Sequence, residues 1–207
     1  MFDRLIATVL VGILTACANP INQRTAEKYY AAGERALAAG DLPLAKQDFS
    51  RALVNAQIGH LGPGAEAQAA MKLAQVLGNM CEYDAAEQTF LQAISVQEAA
   101  FGASSPRTFP ARIELAQLNF DVGRYEKAVT YFEKAFAVGG SLIESRSPIN
   151  YALVLDDYST ALARTGREQA AAEANAKASA VRTAGKVSSP GVVASEYVPY
   201  PKSCPAH

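Results

Sequence analysis

The feature that most constrains this chain is that it repeats itself. The segments Gly40-Asp41-Leu42-Pro43-Leu44-Ala45, Cys81-Glu82-Tyr83-Asp84-Ala85-Ala86, Gly123-Arg124-Tyr125-Glu126-Lys127-Ala128 and Gly166-Arg167-Glu168-Gln169-Ala170-Ala171 align with one another. Their last alanines, Ala45, Ala86, Ala128 and Ala171, stand 41, 42 and 43 residues apart. An aromatic follows four residues on in three of them (Phe49, Phe90 and Phe132), with Asn175 in the fourth. A second alanine follows seven residues on, at Ala52, Ala93, Ala135 and Ala178. Offsets of four and seven lie on one face of a helix. A unit of this length cannot bury its apolar face alone, so neighbours must stack into a continuous core.

Composition supports helices. Alanine, the strongest helix former, makes up about a fifth of the 207 residues, and tryptophan is absent. Ser105-Pro106 and Ser147-Pro148 read as an N-cap serine followed by a first-turn proline, and Pro63 opens a helix in the same way. Gly40, Gly123 and Gly166 sit where a turn between paired helices needs positive φ. Eight helices are expected, near 22–39, 42–58, 63–80, 83–100, 105–122, 125–138, 148–165 and 168–184. The last is polar enough to cap the array against solvent.

The alternation of small residue, aromatic and small residue in each second helix resembles the tetratricopeptide repeat. A methyl-sized side chain lets the two helices of a unit cross closely, and the aromatic fills the space beyond. The period is longer than the usual 34 residues of that family. It resembles the kinesin-light-chain variety, which the stretch Gln92–Gly102 followed by Pro106 and Thr108 matches. The resemblance covers about residues 26–182, with Cys81 replacing a turn glycine and Asn175 replacing the last aromatic. It implies an all-α, right-handed α-solenoid of about four repeats, near 26–62, 63–104, 105–147 and 148–184.

Ahead of the array, Leu5 to Leu14 is an uncharged apolar run of ten residues, about half of what a helix needs to span the ~30 Å hydrocarbon core. With Arg4 before it, this run fits the apolar region of a secretory signal over residues 1–16. Leu14-Thr15-Ala16-Cys17 resembles the lipobox of bacterial lipoproteins. That resemblance implies cleavage before Cys17, lipid attachment to it, and a linker over 17–25. Several acyl chains give stable anchoring where one alone is marginal. Ala18, in place of the aspartate that retains such proteins in the inner membrane, implies the outer membrane facing the periplasm.

The formal net charge is −1, which argues against a nucleic-acid partner. With only two histidines, His60 and His207, neither a zinc site nor histidine-based catalysis is readily built. No nucleophile elbow, phosphate-cradling loop or H-E-x-x-H motif occurs. Asp156 and Asp157 are neighbours on a helix, so their side chains diverge by about 100° and share no site. Neither enzymatic activity nor a cofactor is expected.

In tetratricopeptide arrays the first helix of each repeat lines a concave groove. Carrying those positions over gives Lys72, Gln75 and Asn79, then Glu114, Gln117 and Asp121, then Asp157, Thr160 and Arg164, each trio along one helical face. The first repeat offers Tyr30 and Glu34. A solvated face is also polar at this spacing, but amides such as Gln75, Asn79 and Gln117 suit the backbone of an extended peptide. The groove should be mildly acidic. The expected function is a lipid-anchored scaffold binding a partner protein or extended peptide, with a receptor for a non-protein ligand such as a cell-wall fragment as the alternative.

Residues 185–207 carry prolines without helical period and are expected to be disordered. The alternative is that Glu196–Pro201 packs back into the array's own groove or onto a partner. If Cys17 is lipidated, Cys81 and Cys204 remain as an even pair. A bridge would require the tail to reach back past two repeats, so the expectation is two free thiols.

Overall fold

The structure, a computed structural model, describes residues 19–188 and 199–204, the side chains of 185–188 excepted. The leader, Cys17 and Glu196–Val198 lie outside the described residues. Among the described residues, eight α-helices form four successive antiparallel pairs. The first pair is α1 (Pro20–Ala38) with α2 (Leu42–Ile58), and the second is α3 (Pro63–Asn79) with α4 (Tyr83–Phe101). The third is α5 (Phe109–Asp121) with α6 (Tyr125–Arg146), and the fourth is α7 (Pro148–Arg164) with α8 (Glu168–Ser188). Successive pairs pack on one another through α2 on α3, α4 on α5 and α6 on α7, which makes the fold an α-solenoid.

The repeated alanine–aromatic–alanine face is the core. Ala45, Ala86 and Ala128 are fully buried, as are Phe49, Phe90 and Phe132. Asn175, at the aromatic position of the last repeat, faces solvent because among the described residues no further pair covers α8. Gly40, Gly123 and Gly166 adopt positive φ of 75°, 79° and 77°. Cys81 occupies the same turn position at φ 59°, a left-handed conformation that disfavours any residue with a Cβ.

Three features depart from expectation. The third repeat opens with a 3₁₀ turn over Pro106–Thr108, and the α-helix itself starts at Phe109. Ser105 caps that turn, its Oγ accepting from the Arg107 N–H at 3.3 Å, whereas Ser147 makes no side-chain cap to α7. Helix α6 runs through Gly139-Gly140 to Arg146 instead of ending near 138. A Cβ on Gly139 would lie 2.4 Å from the Phe109 ring, so this glycine permits close helix contact and does not end the helix.

The second helices are joined by ion pairs at related positions. Lys46 meets Glu82 at 2.7 Å, Arg124 and Lys127 converge on the buried Glu87 at 3.2 and 2.9 Å, and Arg167 meets Glu126 at 3.1 Å. Tyr131 also donates to Glu87 at 3.1 Å, so this buried carboxylate is well satisfied.

Candidate functional site: the concave face and its occupant

The first helices α1, α3, α5 and α7 carry the expected stripe, but its side chains are not a row of free groups. Lys72 on α3 pairs with Glu34 on α1 at 3.1 Å. Gln75 on α3 hydrogen-bonds Glu114 on α5, and Gln117 on α5 hydrogen-bonds Asp157 on α7. The middle position of one helix thus pairs with the first position of the next, three times along the array. Two of the three amides expected to meet a partner's backbone, Gln75 and Gln117, are instead engaged with carboxylates of the following repeat. Gln117 and Asp121 are moreover buried, so they form part of the packing between helices.

At the two ends of the stripe the groups are more open. Tyr30 stacks edge-on against Phe49 at 5.5 Å and hydrogen-bonds Gln68, and burial pushes its phenol up. Thr160 donates to the Asp156 carbonyl within its own helix at 2.9 Å, and Arg164 is exposed with its guanidinium 5.9 Å from the Tyr125 ring. Asp156 pairs with Arg182, away from Asp157, so these neighbouring acids serve separate partners. His60 lies exposed in its loop.

Three carboxyl groups, Glu114, Asp121 and Asp157, gather in the middle of the face. Burial raises Glu114, opposed by hydrogen bonds from Gln75 and Tyr200. Burial also carries Asp157 from 3.8 to about 6; its hydrogen bond with Gln117 works against this, while the charges of Asp121 and Asp156 add to it.

What lies on Glu114 and Asp121 is the chain's own tail. Residues 199–204 are placed against the array, which corrects the expectation of a disordered tail for this segment. Tyr200 is buried within the core cluster of the second and third repeats. Its backbone N–H donates to Asp121 Oδ2 at 2.9 Å and its hydroxyl donates to Glu114 Oε2 at 3.1 Å. Burial and the Glu114 charge hold the phenol well above its ordinary range. The ring lies over Gly78 on α3, where a Cβ would stand 2.6 Å from a ring carbon. Tyr83 donates its hydroxyl to the Pro201 carbonyl.

Cys204 then forms a disulfide with Cys81, with Cα atoms 5.9 Å apart and 123 residues between them in sequence. This overturns the expectation of two free thiols. The tail does reach back past two repeats, because the solenoid brings the A–B turn of the second repeat within range of residue 204. Asn79, at the end of α3, adjoins this bridge. The sequence signals for Tyr200, Gly78 and the bridge were slight: a glycine inside a helix, and a cysteine where three other turns have glycine.

A separate cavity of about 420 Å³ opens between α1 and α3. Alanines of α1, α2 and α3 line it, and Gln23, Glu27, Tyr30 and Gln68 supply its polar groups. Among the described residues no cluster of metal-ligating side chains occurs, and no helix is long and apolar enough to cross a membrane.

The comparisons agree with this architecture. The Tetratricopeptide repeat family matches residues 65–140, the second repeat and most of the third. Among solved structures, BtubC (BKLC) from P. vanneervenii aligns with TM-score 0.73 at 18% identity, covering 88% of this chain and 72% of that one. MamA aligns with TM-score 0.61 at 15% identity, covering 81% and 84%. A Podosopora anserina putative kinesin light chain with nearly identical TPR-like repeats aligns with TM-score 0.61 at 16% identity, covering 81% and 83%. The fold is therefore a tetratricopeptide-like solenoid. No curated protein matches the sequence.

Proposed function

We propose that this chain is an interaction scaffold whose concave face holds a non-helical segment of a partner protein, and that it works as a lipid-anchored component of the bacterial envelope. The observation that carries the groove reading is the seat of Tyr200. There the concave face binds a short peptide segment through one buried aromatic ring and one backbone N–H, a combination of side-chain pocket and main-chain contact typical of peptide recognition. Leu14-Thr15-Ala16-Cys17 supports anchoring through Cys17, and Ala18 favours the outer membrane facing the periplasm. The near-neutral charge speaks against nucleic acid as partner.

A receptor for a small polar ligand, such as a cell-wall fragment, is the second reading. The cavity beside Tyr30 favours it, being of ligand size with carboxylate, amide and phenol groups at hand.

Crosslinking in cells, followed by capture from membranes, tests the first reading. Thr160→Ala/Arg164→Ala changes only exposed groups of the groove and should leave the melting midpoint unchanged. A partner crosslinked to wild type and lost from this variant supports the groove, and an identical captured set from both refutes its C-terminal end. If binding depends instead on Gln68 and Glu27, the cavity is the working site. Incorporation of a palmitate analogue by wild type and not by Cys17→Ser tests the anchor.

A further inference from the structure

Among the described residues of the docked tail, 199–204, Tyr200 makes two hydrogen bonds to the array, the Pro201 carbonyl accepts one from the Tyr83 hydroxyl, and Cys204 Sγ lies 3.9 Å from the Asn79 carbonyl. Pro199, Lys202 and Ser203 are exposed, and the segment has no regular structure of its own. Such a contact is modest by itself. The Cys81–Cys204 bridge keeps the ring beside its seat and so multiplies its occupancy without adding a contact. Both cysteines are only half-buried, so a dithiol can approach them. Cys81 also holds a left-handed turn position that the other repeats give to glycine. The residue at this turn is therefore suited to the chemistry of a bridge and not to the conformation.

We propose that residues 199–204 are a built-in pseudo-ligand held by a redox latch, and that opening the Cys81–Cys204 bridge clears the groove for a partner segment of the same chemistry, a tyrosine flanked by prolines. The inference rests on the groove reading given above. In the opening step a thiolate of a partner dithiol attacks one sulfur of the bridge, forming a mixed disulfide and releasing the other cysteine. The second thiol of the partner then displaces the first cysteine. Two electrons and two protons pass to this chain, leaving Cys81 and Cys204 as thiols, and the dithiol becomes a disulfide. The freed seat offers Gly78 as a floor for an aromatic ring, Glu114 as acceptor for its hydroxyl and Asp121 as acceptor for its backbone N–H. A phenylalanine fills the same space but removes one of the two hydrogen bonds that Glu114 receives, from Tyr200 and Gln75, so tyrosine is preferred.

The test uses the full chain and a fluorescein-labelled peptide with the sequence of residues 195–203, followed by fluorescence anisotropy. Four proteins are compared: oxidised wild type, wild type reduced with dithiothreitol, Cys81→Gly/Cys204→Ser, and Tyr200→Ala/Cys204→Ser. The last keeps the whole array but empties the seat. Reduced wild type and Cys81→Gly/Cys204→Ser are expected to bind at least about tenfold more tightly than oxidised wild type, the advantage lost by the tail when its tether is cut. Tyr200→Ala/Cys204→Ser should bind most tightly, and a peptide with alanine at the position of Tyr200 should bind none of them. If the emptied-seat variant binds but reduction changes nothing, the tail stays seated without its bridge and the latch is refuted while the groove reading stands. If the emptied-seat variant keeps its helical circular dichroism and binds no peptide, the latch and the groove reading fall together.

Discussion

Gly78 and Tyr200 touch across a gap that leaves no room for a methyl group, and the consequence is a substitution whose sign depends on the tail. A Cβ at residue 78 would lie 2.6 and 2.7 Å from two ring carbons of Tyr200. The ring cannot simply retreat, because the N–H is held by Asp121 at 2.9 Å and the hydroxyl by Glu114 at 3.1 Å. Overpacking of this kind costs about 1–3 kcal/mol. Against it stands the gain from replacing a helical glycine by alanine, at most about 1 kcal/mol and less near a helix end. Gly78→Ala should therefore destabilise the wild-type chain by about 0–3 kcal/mol. In a Tyr200→Ala chain the tight neighbour left is Leu118 Cδ1 at 3.1 Å, the far end of a flexible side chain. There Gly78→Ala should be neutral or stabilising by up to about 1 kcal/mol. Urea unfolding of the four proteins under non-reducing conditions, followed by circular dichroism, closes the cycle. A coupling of about 2 kcal/mol is expected, and additivity within about 0.5 kcal/mol would refute the seat.

Three further outcomes are expected. In a Cys204→Ser chain, Cys81→Gly should be more stable than Cys81→Ser by about 1 kcal/mol in denaturant melts, because only glycine takes φ 59° without a steric penalty. Ala86→Leu and Ala128→Leu should each lower stability by about 1–3 kcal/mol, since both methyls are fully buried where paired helices cross; unchanged melting midpoints would contradict the packing. Asp157 is raised in the folded chain from 3.8 to about 6, so the folded state binds its proton more tightly than the unfolded chain does. The resulting stabilisation is present in full below about pH 4 and is lost as pH rises through about 6. Melting midpoints of wild type relative to Asp157→Asn should therefore fall between pH 4 and 7, and a flat difference would argue against burial of that carboxyl.

The elements of this chain were legible because their signals are local. Ala45, Ala86 and Ala128 with Phe49, Phe90 and Phe132 mark one helical face at fixed offsets, and Gly40, Gly123 and Gly166 punctuate the turns, so repeat number and helix pairing follow from a single period. The polar composition of the last helix marked it as a cap, and its Asn175 is exposed. What stayed hidden depends on distances that only the stacked helices create. Gly139-Gly140 looks like a helix end in one dimension, and becomes a helix interior once Phe109 is packed against it. Lys72 with Glu34, Gln75 with Glu114 and Gln117 with Asp157 are partners across neighbouring helices, a relation that periodicity along one helix does not contain. The docking of Tyr200 on Gly78 and the union of Cys204 with Cys81 span more than a hundred residues. Helical periodicity sets which residues share a face, whereas closing so long a loop onto a seat requires the curvature of the whole array to bring that seat within reach.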